Sequence, residues 1–303
     1  MKRRRSIIAA VIALLSVAPW AVSRAIAAND PADSSAFSSL DAAKGADSPF
    51  ILTEPRPVPP FPIVLNQSVQ HYLHDFLRQP DQLESAFERS RPYLPEMVRL
   101  LRSYGVPDDL VYLAFAESAF SRRGRGPWQL SGVIAKHYGL RIDRYVDERR
   151  DPILSTRAAA EYLAELHDAA GYDWPVAIVG WNGGTAAIDR FWSLRGSNYN
   201  RFTHLLPVPT RTLLGRFMAV AFIAHNAIAY GIRQVDFDES PSYREVKVKG
   251  GALLAEIARG FGTSVAHLRE LNPALLRDLI PPYAHGYKIR VPLVRSAAAA
   301  DGY

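Results

Sequence analysis

The segment Leu110-Val111-Tyr112-Leu113-Ala114-Phe115-Ala116-Glu117-Ser118-Ala119-Phe120, followed by Gly126-Pro127-Trp128-Gln129, sets a single carboxylate, Glu117, at the end of an apolar run. A carboxylate rarely occupies such a run unless it is exposed, paired or used. Burial disfavours the charged form, so Glu117 is a candidate proton donor near neutral pH. The aromatic and amide side chains just downstream suit a groove for a polar, ring-shaped ligand. Together these features point to acid catalysis on a sugar.

The run belongs to a helical region spanning residues 63–233. Val69, Tyr72, Leu73, Phe76 and Leu77 recur at helical spacing, and Pro92 and Pro95 precede a second helix through Met97, Leu100 and Leu101. Gly105 ends that helix, and Asp108 is the expected N-cap of the next. Asp151-Pro152 opens a further helix, with Asp as N-cap and Pro in the first turn; it stops near Gly171. Another starts near Asp173-Trp174-Pro175, breaks at Asn182-Gly183-Gly184, and resumes through Ile188 and Phe191. The last apolar run, Leu213 to Tyr230, has Arg211 and Arg216 close by, which favours a buried helix over a membrane span.

After Arg233 the pattern changes. Tyr243 to Val248 and Tyr287 to Pro292 alternate as strands do. Leu253 to Phe261 and Val265 to Leu271 are short helices between them. Residues 243–293 therefore read as a β-α-α-β unit, joined by a short link after Arg233 and expected to be a small second module, either binding glycan or purely structural.

The flanks carry targeting and spacer signals. Lys2 to Arg5, the apolar Ile7 to Trp20 and Ala25-Ile26-Ala27 read as a cleavable signal peptide over residues 1–27. Residues 28–62, rich in Ala, Ser, Asp and then Pro, read as a disordered linker, and residues 294–303 as a disordered tail. Five of the net +6 charges lie in the first 27 residues, so the remainder is close to neutral and lacks the electrostatic footprint of a nucleic-acid binder. The chain has no cysteine, which excludes disulfides, a thiol nucleophile, cysteine metal sites and a lipidated cysteine. Export without cysteine points to the periplasm or cell surface. His71 and His74 are three residues apart with nothing nearby to complete a metal site. Gly124-Arg125-Gly126 is no phosphate loop, because no strand precedes it. No metal and no organic cofactor is expected.

Five ordered segments carry a resemblance to a known family. They are Arg91 to Pro95, Val106 to Phe120, Gly126 to Gln129, Asp147 to Pro152 with Ser155 to Ala160, and Trp181 to Gly184. In order and spacing they resemble the catalytic domain of the soluble lytic transglycosylase superfamily, in its membrane-bound type D branch. Residues 243–293 resemble a degenerate LysM module, in which the usual Gly-Asp-Thr-Leu start reads Gly250-Gly251-Ala252-Leu253. The resemblance implies a mainly α, lysozyme-like fold with a small C-terminal module. It also implies cleavage of the β-1,4 bond from N-acetylmuramic acid to N-acetylglucosamine in peptidoglycan glycan strands, forming a 1,6-anhydro ring. Glu117 would act as general acid and then base.

Ser118, Trp128, Gln129, Trp181 and Asn182 are the candidate substrate-binding residues. Simpler uses stand beside these: Ser118 bonding a backbone carbonyl, Trp128 as a core aromatic, Asn182 capping a helix break, and Asp147 and Asp151 as turn residue and N-cap. Three departures from the family stand out. Trp181 replaces a Tyr whose hydroxyl supports the acid, and offers only an N–H donor. Leu213 stands where another Tyr is usual. The loop Ser121 to Arg125 is short and basic, suited to carboxylates of peptidoglycan or simply to solvent. A non-catalytic peptidoglycan-binding scaffold and a lysozyme-type hydrolase remain the alternative functions. Other cell-wall enzymes are open as partners.

Overall fold

The computed structural model describes residues 60–193, 206–232 and 243–293. The expected signal peptide, nearly all of the linker and the C-terminal tail lie outside the described residues. The packed chain begins earlier than expected, at Phe61. That ring is 3% exposed, meets Phe217 edge-on at 4.9 Å, and its amide donates to Asp109 Oδ2 at 3.3 Å. The assignment of residues up to 62 to the linker is corrected accordingly: an aromatic ring with a core slot to fill ends it.

The helices form where local chemistry favours them. Helix α1 (Gln67–Arg78) is capped by Asn66, whose side chain accepts from the Val69 amide at 3.0 Å. Helices α2 (Pro80–Ser90) and α3 (Leu94–Ser103) each begin with proline in the first turn. Gly105, at φ 70°, reverses the chain after α3, and the Val106 amide returns to Leu101 O at 3.0 Å.

The expected single helix from Asp108 is in fact two pieces, a 3₁₀ turn (Asp108–Tyr112) and α4 (Leu113–Ser118). Asp108 caps nothing; its carboxylate is held by Arg102, with Nε to Oδ1 at 2.9 Å. A nearby arginine fork outcompetes the backbone amides for that side chain.

Helix α5 (Gly132–His137) follows, capped by Ser131. Helix α6 (Pro152–Ala169) starts at Asp151, whose Oδ1 accepts from the Ile153 and Leu154 amides, each at 3.0 Å. Helix α7 (Trp174–Ser193) is interrupted at Gly184, where φ 68° and ψ −172° lie outside helical space; the expected break is there. Helix α8 (Val208–His225) buries Leu213, Leu214, Phe217, Met218, Val220 and Ile223 against α1, α4 and α7. Helix α6 packs on α3 and α7. Among the described residues, no helix is long and apolar enough to cross a membrane.

The C-terminal module has the expected order: β1 (Tyr243–Val248), α9 (Leu254–Gly260), α10 (Val265–Leu271) and β2 (Tyr287–Pro292). The strands pair antiparallel, Tyr243 opposite Pro292 and Val248 opposite Tyr287. Leu254, Leu268, Ile280, Ile289 and Val291 form its own small core.

The module packs against the helical domain through polar contacts. Arg290, 4% exposed, forms a forked ion pair with Asp151, 3% exposed, at the start of α6, with Nη2 to Oδ1 at 3.0 Å. The Tyr93 hydroxyl and Arg122 Nη1 both donate to Glu270 O, at 2.7 and 2.9 Å. The Asp147 amide donates to Ala274 O, and the Leu276 amide to Tyr145 O. Polar side chains and backbone amides far apart in sequence make the junction.

Candidate active site

Glu117 is the penultimate residue of α4, and two unusual residues end that helix. Ala119 (φ 49°) and Phe120 (φ 56°) are both left-handed, a conformation that costs an ordinary residue roughly 1–2 kcal/mol. The turn is held from outside. Arg89 Nη2 donates to Ala119 O at 2.7 Å, and the Phe120 ring is fully buried against Phe115. The chain thus leaves α4 sharply just after the carboxylate, and Glu117 remains half-buried at the helix end.

The loop that follows is laid close to the rest of the domain by Gly126. Its φ is 76°, and a Cβ there would overlap the Arg149 carbonyl oxygen. Arg149 is itself fixed by Asp147, with Nε to Oδ1 at 2.9 Å, and it donates to Leu130 O at 3.2 Å. Asp147 and Asp151 are thus structural, as turn residue and N-cap.

Ser118 stitches helix to loop. Its hydroxyl donates to Pro127 O at 2.8 Å and lies 3.1 Å from Ala114 O, while accepting from the Ser121 amide at 3.0 Å. The backbone takes up its hydrogen-bonding capacity, so its direct role is to join α4 to Gly126–Gln129. Trp128 is 1% exposed and its indole N–H donates to Thr156 Oγ1 at 2.8 Å. The expected groove contact is replaced by a supporting one: a ring sealed in the core presents no face to a ligand. Gln129, at φ 51°, is half-buried and its amide nitrogen folds back onto Gly126 O at 2.6 Å.

Trp181 meets the carboxylate directly. Its Nε1–H donates to Glu117 Oε1 at 2.8 Å, across 64 residues of chain. The indole is braced by Trp128 and Tyr162, ring centres at 5.8 and 5.5 Å. Asn182, next along α7 and just before the break at Gly184, is exposed. Leu213, in the place of the second family Tyr, is buried in α8.

Burial pushes the Glu117 carboxyl up to about 7; the Trp181 hydrogen bond and the charges of Arg216 and Arg125 pull the other way without cancelling it. Arg216 was not singled out as a site residue from sequence. Its Nε is buried without a hydrogen-bond partner among the described residues, and its guanidinium lies 5.7 Å from the Phe76 ring centre. A cation inside the apolar Leu213–Ile223 stretch was the available signal. The site therefore holds an acid that is about half protonated at pH 7, with one neutral donor and two cations ready to stabilise its conjugate base.

Residues 101–201 match the family described as the transglycosylase SLT domain. That match covers about a third of the chain. Glu117, Trp128 and Trp181 all lie within it. Residues 242–302 match the LysM-like domain of lytic transglycosylase MltD. The mainly helical architecture with its small two-stranded module is the one expected of this combination. The chain is 26% identical over 216 residues to membrane-bound lytic murein transglycosylase D of Escherichia coli K12, a match covering 68% of this chain and 48% of the relative. The protein of the same name from Escherichia coli O6:H1 matches to the same extent. A protein of Alteromonas sp. strain M-1, whose name links it to tributyltin chloride resistance, is 33% identical over 121 residues, 38% of this chain and 58% of the relative. The chain thus spans about half the length of the Escherichia coli relatives it matches.

Proposed function

We propose that this protein is a peptidoglycan lytic transglycosylase that cleaves the bond from N-acetylmuramic acid to N-acetylglucosamine without consuming water. The observation that carries this reading is Glu117 itself: a half-buried carboxyl group held near pKa 7, in contact with Trp181 and facing Arg216 and Arg125. The SLT match and the transglycosylase relatives support it.

The chemistry needs one acid. Protonated Glu117 gives its proton to the glycosidic oxygen as the bond to C1 of N-acetylmuramic acid breaks, and the electron pair leaves with that oxygen. The carbonyl oxygen of the substrate's N-acetyl group stabilises the electron-poor C1, one of the recognised departures from two-carboxylate glycosidases. Glu117, now a carboxylate, is stabilised by the Trp181 N–H and the neighbouring cations. It then takes the proton of the C6 hydroxyl while O6 attacks C1. The 1,6-anhydro ring forms, and Glu117 ends protonated as it began. Attack from within the same sugar has the proximity advantage of an intramolecular reaction. Two cations, Arg216 and Arg125, favour the conjugate base of Glu117 between the two proton transfers.

We place the protein in the periplasm or at the cell surface, exported by residues 1–27, with peptidoglycan strands as its substrate. Mass spectrometry of muropeptides released from sacculi tests the reading. Anhydro-muramyl products are expected. Reducing-end products would make it a hydrolase, and none would make it a binding protein.

A further inference from the structure

A cleft of about 610 Å³ lies between the SLT domain and the C-terminal module, within the size range of ligand sites. One wall is the start of α6 and the Arg141–Glu148 segment. The other is β1, β2 and the loop leading into β2. None of the residues assigned above to the catalytic site lines it apart from the structural Asp151.

Its charge is unbalanced. Five Lys and Arg side chains face three carboxylates. All three carboxylates are already engaged. Asp151 holds Arg290, Glu245 holds Lys288 at 3.3 Å, and Glu148 accepts from the Arg141 amide at 2.7 Å. Arg157 and Lys247, from opposite walls, are exposed and make no ion pair among the described residues. Arg141 lies over the Tyr283 ring at 5.4 Å. Deeper in the wall, Arg290 is nearly sealed from solvent; its Nε–H has no hydrogen-bond partner among the described residues, and its guanidinium lies 5.3 Å from the Tyr243 ring centre. Two cations without an ion pair, set on opposite walls of one cleft, suit the oxygens of a bound anion.

We propose that this interdomain cleft is a second binding site, distinct from the catalytic groove, that takes a carboxylate-bearing peptide. The acidic stem peptide attached to muramic acid has this chemistry. That choice of ligand rests on the peptidoglycan reading, whereas the charge of the cleft does not. Carboxylates of one peptide would bridge Arg157 and Lys247, tying both modules to one strand.

Calorimetric titration of the full wild-type chain with the free tripeptide L-Ala–γ-D-Glu–meso-diaminopimelate tests this. No glycan is present, so the result is independent of whether the protein cleaves. The transglycosylase reading stands or falls separately on the muropeptide products. Saturable binding that weakens with rising salt is expected. Amidating the peptide carboxylates, or reversing charge with Arg157→Glu and Lys247→Glu together, should weaken it about tenfold or more. The absence of saturable binding by wild type would overturn the proposal. So would unchanged affinity for the amidated peptide, or for the double variant with a wild-type melting curve.

Discussion

At the scale of single residues, the structure turns one carboxylate into a poised acid. Glu117 has a folded-state pKa near 7, against 4.5 for the free side chain. The unfolded chain therefore ionises first. As pH rises from about 4.5, ionisation favours the unfolded state, and the cost to stability grows until about pH 7, then levels off. Glu117→Gln, uncharged throughout, should melt higher than wild type at pH 8, by up to about 3 kcal/mol in stability, and the gap should close by pH 4. Thermal melts at the two pH values check this; a pH-independent difference would show that Glu117 is not held neutral by burial. The cleavage rate should likewise fall above about pH 7, where the proton to be donated is lost. Trp181→Phe removes the N–H that favours the carboxylate, so the alkaline limb of that pH profile should move up while the rate falls. An unmoved limb would remove Trp181 from the role given to it. The sequence showed Glu117, because an acid in an apolar run is conspicuous. It did not show the Trp181 contact, because nothing local encodes a hydrogen bond across 64 residues. Trp128 shows the same limit: the tryptophan was visible, but not which way it faces.

At the scale of elements, local chemistry was a good guide where local forces decide. Asp151-Pro152 starts α6, Gly184 interrupts α7, and the alternation of Tyr243–Val248 and Tyr287–Pro292 marks the two strands. It failed over Asp108–Ser118. The apolar pattern there is continuous, yet the chain forms a 3₁₀ turn and then a short α-helix, with Asp109 buried under Phe61 and His225. Those partners lie 48 and 116 residues away, so tertiary contacts set the geometry. The sharp exit from α4 is the element-level device that leaves Glu117 at a helix end. Ala119 is exposed and left-handed, so Ala119→Gly should relieve strain and stabilise the protein by about 1 kcal/mol. Denaturant unfolding measures it. A loss of stability would mean that the turn is not strained.

At the scale of the whole molecule, two modules that read as separate in sequence share polar contacts. The Arg290–Asp151 pair is the centre of the junction. Burial works against the charge on Arg290, but Asp151 outweighs it and keeps the guanidinium ionised. Asp151 also caps α6, so one carboxylate ties the module to the helix that braces Trp128 and Trp181. Arg290→Met would leave that acid buried without its cation, at a cost of about 3–5 kcal/mol. The loss should appear in melting of the SLT domain, not of the module alone. Tyr93 and Arg122 add a second tie, both to Glu270 O, and Arg122 belongs to the loop just after Glu117. Removal of residues 243–303 should therefore lower the melting temperature of the remaining chain. An unchanged melt would mean that the module adds nothing to the stability of the helical domain.

The central claim is that one carboxyl group, Glu117, performs both proton transfers. Chromatography with mass spectrometry of sacculi digested by Glu117→Gln and by wild type tests it most directly. Gln is close in shape but cannot give up and recover a proton, so anhydro-muramyl products should fall by at least about 10²-fold with the fold intact. Near-wild-type yields from a folded Glu117→Gln protein would contradict the account.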